Sequence, residues 1–244
     1  MVVRLHRGLQ NGLFFKSLFT DAPLEGKYSA HATIINFKRV LDVRLALEFM
    51  LRINLRHGFF FFSASHCVVN KSLAEIEEAI KVGVSRIVID SLQEIERVQA
   101  LASKAGKNQK VLIRLTPGVE AHTHESISTA HEDVKFGLSI ASGAAWKAIE
   151  AIEASSNLTL QGFHCHIGSQ IFNTEGYEIA IGRIVALLAK FRDHFDRELP
   201  EFDMGGGFGI AYLPGETTFD PDAAIAKVAS VIKAECKVNN LALP

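Results

Sequence analysis

Residues 162–171 read Gly-Phe-His-Cys-His-Ile-Gly-Ser-Gln-Ile, and residues 203–209 read Asp-Met-Gly-Gly-Gly-Phe-Gly. Each run closes a short apolar stretch with residues suited to touching a ligand. The first delivers an imidazole, His166, and then a small-residue turn that carries a hydroxyl, Ser169. The second ends in three consecutive glycines, Gly205, Gly206 and Gly207. Glycines let main-chain N–H groups come close to an anion and adopt positive φ. Together the two runs describe a shelf for a planar ring beside a cradle for a phosphate. Taken singly they say less. A triple glycine also suits a flexible turn, and a lone histidine suits a satisfied core position.

Outward from these runs the chain alternates helical and strand patterns. Ser72 is followed by Glu75 and by apolar residues at Leu73, Ile76, Ala79 and Ile80, the mark of a capped amphipathic helix. Arg86-Ile-Val-Ile-Asp90 reads as a strand, Ser91 to Ala105 as a helix capped by Ser91, and Val111 to Leu115 as a strand stopped by Thr116-Pro-Gly. A helix over Gly143 to Ala154, a strand over Leu158 to His166, a long helix over Gly176 to Glu198, a strand from Phe202 and a helix over Asp222 to Asn239 complete the series. Short buried strands separated by helices predict a parallel α/β fold. In such folds chemistry gathers at the strands' C-terminal ends. Asp90, Arg114, His166 and the glycine trio all fall there.

Residues 1–68 lack this rhythm. Phe37 to Leu55 has helical spacing, and Phe59 to Phe62 is a run of four phenylalanines with no period. The change in pattern places a boundary near residue 68, with 1–68 as a divergent N-terminal segment and 69–244 as the α/β unit.

Composition excludes several classes. With 244 residues, 48% hydrophobic and 22% charged, the chain can bury a large core. A formal net charge of −1 gives no electrostatic case for nucleic acid or an anionic membrane surface. No apolar run approaches the ~20 residues that span a bilayer. Three widely spaced cysteines suit reduced thiols, hence a cytoplasmic protein. His164 and His166 share a strand face, but no acidic or cysteine cluster joins them at metal-ligand spacing, so no metal is expected. Arg114, inside an apolar strand, needs a partner. It reads either as a functional cation or as half of a structural ion pair, and Asp90 carries the same two readings. His122, His124 and His131 sit in a polar loop and read as solvated.

The motifs together resemble the pyridoxal-phosphate decarboxylases of the alanine-racemase-like barrel type, and among them the diaminopimelate decarboxylases. The resemblance rests on Asn70-Lys-Ser-Leu-Ala-Glu-Ile, Val88-Ile-Asp-Ser, Leu112-Ile-Arg-Leu-Thr-Pro-Gly-Val, Lys135-Phe-Gly-Leu, and the two runs quoted first, in the family's order. It implies a partial (β/α)₈ TIM-like barrel lacking the family's C-terminal β domain, with pyridoxal 5'-phosphate as cofactor. It implies that His166 stacks on the pyridine ring, that Ser169 and Gly205 to Gly207 hold the phosphate, and that Arg114 and Asp90 lie near the cofactor. The implied reaction takes a small amino acid, meso-2,6-diaminopimelate, to L-lysine and CO₂ in a homodimer. Ornithine or arginine decarboxylation, racemisation, or cofactor binding without catalysis are the alternatives.

Two departures accompany the resemblance. The family holds its cofactor as a Schiff base on a lysine in a Tyr-Ala-x-Lys-Ala-like motif. The nearest string here is Tyr28-Ser-Ala-His-Ala, with His31 where the lysine would stand. An imidazole cannot replace that amine, so the catalytic lysine is not identified. Lys16, Lys27 and Lys38 occur in other contexts. A family member would also continue past residue 244 to a strand ending Glu-Pro-Gly-Arg. The expectation is a barrel incomplete at both ends, as a frame error in 1–68 and an early stop would produce.

Overall fold

The structure, a computed structural model, describes residues 3–5, 65–66, 70–119, 136–209 and 220–244. The phenylalanine run, the 37–55 helix pattern, His31, the histidine loop and the three early lysines lie outside these residues.

The described strands are β1 (Val3–Leu5), β2 (Ser65–His66), β3 (Arg86–Ile89), β4 (Gln109–Thr116), β5 (Leu138–Ser139), β6 (Leu158–Cys165) and β7 (Glu201–Gly205). The helices are α1 (Leu73–Val82), α2 (Leu92–Lys104), α3 (Ala144–Glu153), α4 (Glu175–Phe195) and α5 (Pro221–Val238). All described pairings are parallel, in the order β1-β7-β6-β4-β3-β2. β5 adds to the far end of β4, at Leu115 and Thr116. Parallel neighbours need crossovers, and the helices supply them.

Local chemistry explains the element ends. Ser72 and Glu75 form the reciprocal capping box: Ser72 N donates to Glu75 Oε2 at 2.7 Å, and Glu75 N donates to Ser72 Oγ at 3.3 Å. α1 stops at Gly83, whose φ of 77° suits a residue without a Cβ. α5 begins earlier than the sequence suggests. Asp220, not Asp222, caps it by accepting from the N–H groups of Asp222 and Ala223, and Pro221 fills the first helical position.

Strand alternation sorts side chains onto two faces. Ile87 and Ile89, Val111 and Ile113, Phe163 and Cys165, and Phe202 and Met204 pack with the helices in one hydrophobic cluster. The intervening residues face the other way: Arg86 and Val88, Leu112 and Arg114, His164, Glu201 and Asp203. On that face Arg86 of β3 forms an ion pair with Glu201 of β7, with Nε donating to Oε1 at 2.8 Å. Two strands separate β3 from β7, so a flat sheet would hold them ~14 Å apart. Contact between their side chains shows that the sheet curls, as a barrel segment does.

Candidate functional site

At the C-terminal ends of the strands the curled face carries the predicted residues. Arg114, His164 and Asp203 stand in one row, paired across β4, β6 and β7, and all three are buried. Asp90 follows Ile89, the partner of Ile113, and so stands level with Arg114; one step further along lie His166 and Gly205. The Arg114 guanidinium reaches Asp90 Oδ1 at 3.2 Å and lies 5.2 Å from the centre of the Phe136 ring. Arg114 is thus paired, as an arginine inside an apolar strand requires.

His166 and the glycine trio come together. A Cβ built on Gly207 would lie 1.8 Å from Gly168 O and 3.3 Å from His166 Cε1. A Cβ on Gly205 would lie 2.2 Å from Cys165 O. Gly205 and Gly207 also have φ of 69° and 107°, so both backbone angle and space require glycine. The turn after β6 is tied to the turn after β7 by Ile171 N donating to Gly207 O at 2.9 Å and Gly209 N donating to Ile171 O at 2.8 Å. Gly205 N donates to Asp203 Oδ1 at 2.9 Å. Ser169 is half-buried in the same turn, just before Gln170, whose φ of 59° reverses the chain. These residues bring two glycine-rich turns together beside one imidazole.

Beneath Asp90 lies a network that the sequence reading passed over. Lys71 is fully buried, and its Nζ donates to Val88 O at 2.8 Å and pairs with Glu94 Oε2 at 3.0 Å. The same Glu94 oxygen accepts from Asp90 N at 2.8 Å. Ser91 and Glu94 stand at capping-box spacing at the start of α2. Ser91 does cap that helix, but the carboxylate turns to the Asp90 main chain instead. A signal was available, since Lys71 stands in a polar run before a capped helix. Nothing in its spacing pointed to a glutamate in the next helix.

Cys165 points to the helix-packed side, with Sγ 3.8 Å from Met204 O. Burial, reinforced by Asp203 and opposed by Arg114, pushes its thiol well above the ordinary range. It is a core residue, not a nucleophile. Among the described residues no group of three histidine, cysteine, aspartate or glutamate side chains is placed to hold a metal ion. Among them, too, no helix is long and apolar enough to cross a membrane.

Comparison with known proteins agrees with this geometry. Residues 51–242 match the model of the pyridoxal-dependent decarboxylases, pyridoxal-binding domain. The diaminopimelate decarboxylase of Mycobacterium leprae is 50% identical over 179 residues, covering 72% of this chain and 38% of that protein. That of Halalkalibacterium halodurans is 32% identical over 242 residues, covering 94% of this chain and 54% of that one. The crystal structure of diaminopimelate decarboxylase from Helicobacter pylori complexed with L-lysine superposes with a TM-score of 0.66 at 27% identity, over 75% of this chain and 45% of that one. The chain thus spans between about two fifths and one half of the relatives it matches.

The residues present fit a pyridoxal phosphate. The glycine turns form a cradle that any Cβ would fill, and the imidazole stands at its edge. The curled parallel sheet, the juxtaposed His166 and Gly205 to Gly207, and the match over most of the chain lead to one conclusion: this chain belongs to the pyridoxal-dependent decarboxylase family and contains its pyridoxal-binding domain.

Proposed function

We propose that this chain serves the decarboxylation of meso-2,6-diaminopimelate to L-lysine and CO₂, as a cytoplasmic homodimer. The juxtaposition of His166 with Gly205 to Gly207 carries the reading. The names of its relatives supply the substrate, and the L-lysine bound in a solved relative supports the product. Near residue 68, where strand–helix alternation begins, we place the start of the cofactor-binding unit.

When bound, pyridoxal phosphate supplies an electron sink for the electrons left behind as CO₂ departs. The chain's own residues bind and orient it. His166 offers a flat face to the ring. Ser169 and the N–H groups of the glycine turn would hold the phosphate, as donors to an anion. Arg114 adds a cation to the site, and Asp90 holds that cation in place.

A second reading, cofactor binding without catalysis, has one observation in its favour. Lys71 is the buried lysine among the described residues, and its amine is engaged by Glu94 and Val88. The two readings separate by adding pyridoxal phosphate, reducing with borohydride and mapping pyridoxyl-lysine by mass spectrometry. Modification of one lysine together with CO₂ release from diaminopimelate supports the enzyme. Cofactor that binds but leaves every lysine unmodified refutes catalysis by this chain and favours the binding module. Parallel assays with ornithine and arginine test the substrate.

A further inference from the structure

We infer that Tyr177 positions the phosphate-binding turn, fixing the Gly206–Gly207 peptide so that its N–H is presented to the phosphate of the ligand. The inference rests on the cofactor reading above.

Tyr177 lies in the first turn of α4 and is wholly buried. Its phenol donates to Gly206 O at 2.9 Å, and its ring packs on Phe208 with centroids 5.3 Å apart. A phenylalanine would fill the same space. A hydroxyl taken so far from water is costly unless it is bonded, and here its partner is a carbonyl of the glycine turn.

The consequence follows from peptide geometry. The chain has no cis peptide among its described bonds, and in a trans peptide the C=O and N–H point in opposite directions. With Gly206 O held toward Tyr177, the Gly207 N–H points away from it. Gly207 is the half-exposed member of the trio, and a Cβ on it would lie 3.3 Å from Cε1 of the His166 ring. The next carbonyl, Gly207 O, is held in turn by Ile171 N at 2.9 Å. Two successive carbonyls, which would repel a phosphate, are thus tied back. Glycine peptides flip easily because neither flank carries a Cβ. An external tether is what gives this one a single orientation.

The burial that places the phenol also pushes its ionisation well above the ordinary tyrosine range. It therefore remains a donor across all working pH.

The test compares pyridoxal 5'-phosphate with pyridoxal, which shares the ring and aldehyde but lacks the phosphate. Dissociation constants are measured by absorbance and fluorescence titration for the parent chain and for Tyr177→Phe. Loss of one orienting hydrogen bond is expected to weaken pyridoxal phosphate about five- to tenfold and leave pyridoxal unchanged. A role confined to packing would weaken both ligands together, and that result overturns the inference. So does a variant that keeps the whole preference for the phosphorylated ligand. A parent chain with no preference for pyridoxal phosphate overturns the cofactor reading itself, and this inference with it. Should Tyr177→Phe fail to fold, amide hydrogen exchange on ¹⁵N-glycine-labelled parent chain decides. Inorganic phosphate should slow exchange at Gly207 more than at the remote Gly83, and equal exchange at both overturns the inference.

Discussion

Lys71 and Glu94 form a buried ion pair with side-chain exposures of 0% and 4%, and each also satisfies a main-chain group. Breaking such a pair from one side leaves a charge in a low-dielectric interior, at ~3–5 kcal/mol. Lys71→Met leaves the Glu94 carboxylate with Asp90 N alone and removes the donor to Val88 O. Glu94→Leu removes the carboxylate that faces the buried ammonium. Each single change should therefore cost ~3–5 kcal/mol, which in a chain of this size lowers Tm by roughly 6–20 °C. The double variant buries no charge. Its remaining deficit is the loss of the side-chain bonds to two main-chain groups, Val88 O and Asp90 N, at ~1–3 kcal/mol each. It should thus cost ~2–6 kcal/mol, centred at ~4, against a sum of the singles of ~6–10 kcal/mol centred at ~8. Urea unfolding followed by far-ultraviolet circular dichroism gives the four free energies of the cycle. A double variant whose loss equals the sum within ~0.5 kcal/mol would refute the reasoning, because the two side chains would then act independently.

Gly207→Ala places a Cβ 1.8 Å from Gly168 O at a φ of 107°, so the turn must move. A loss of ~2–4 kcal/mol and of pyridoxal phosphate binding is expected, whereas Gly83→Ala, at φ 77° with open space around it, should cost only ~1 kcal/mol and spare binding; equal effects of the two in titrations would contradict the cradle. Alkaline pH should destabilise the fold. Burial lifts the Cys165 thiol above its ordinary 9.0 and the Tyr177 phenol above 10.0, so the folded chain keeps protons that the unfolded chain releases. The stability they contribute is intact below those ordinary values and is lost as pH rises past them. Urea midpoints that rise between about pH 8 and about pH 10.5 would argue against buried, protonated groups.

Much of this was legible because local rules and tertiary structure agree. Ser72 with Glu75, the Asp90 and Thr116 strand ends, and the glycine trio each announce themselves within a few residues. The expected α4 ends within three residues of the observed helix at either side, because its apolar stripe is long. The two-residue strand β5 carries no period at all and takes its identity from β4. β1 is three residues long and, among the described residues, pairs with β7. The Lys71–Glu94 pair was hidden for a different reason. Its members sit 23 positions apart, and only the packing of successive α/β units brings them together. Helix α5 begins one residue before the expected Asp222, because Asp220 caps it and Pro221 opens it.

The contact between Arg86 and Glu201 has a consequence for traffic. It joins two strands across the hollow of the sheet at the end opposite His166 and Gly207, with both side chains largely out of solvent. Among the described residues, the hollow is therefore floored like a cup instead of open like a pipe. A molecule seated at the rim would be expected to depart over the same lip by which it came.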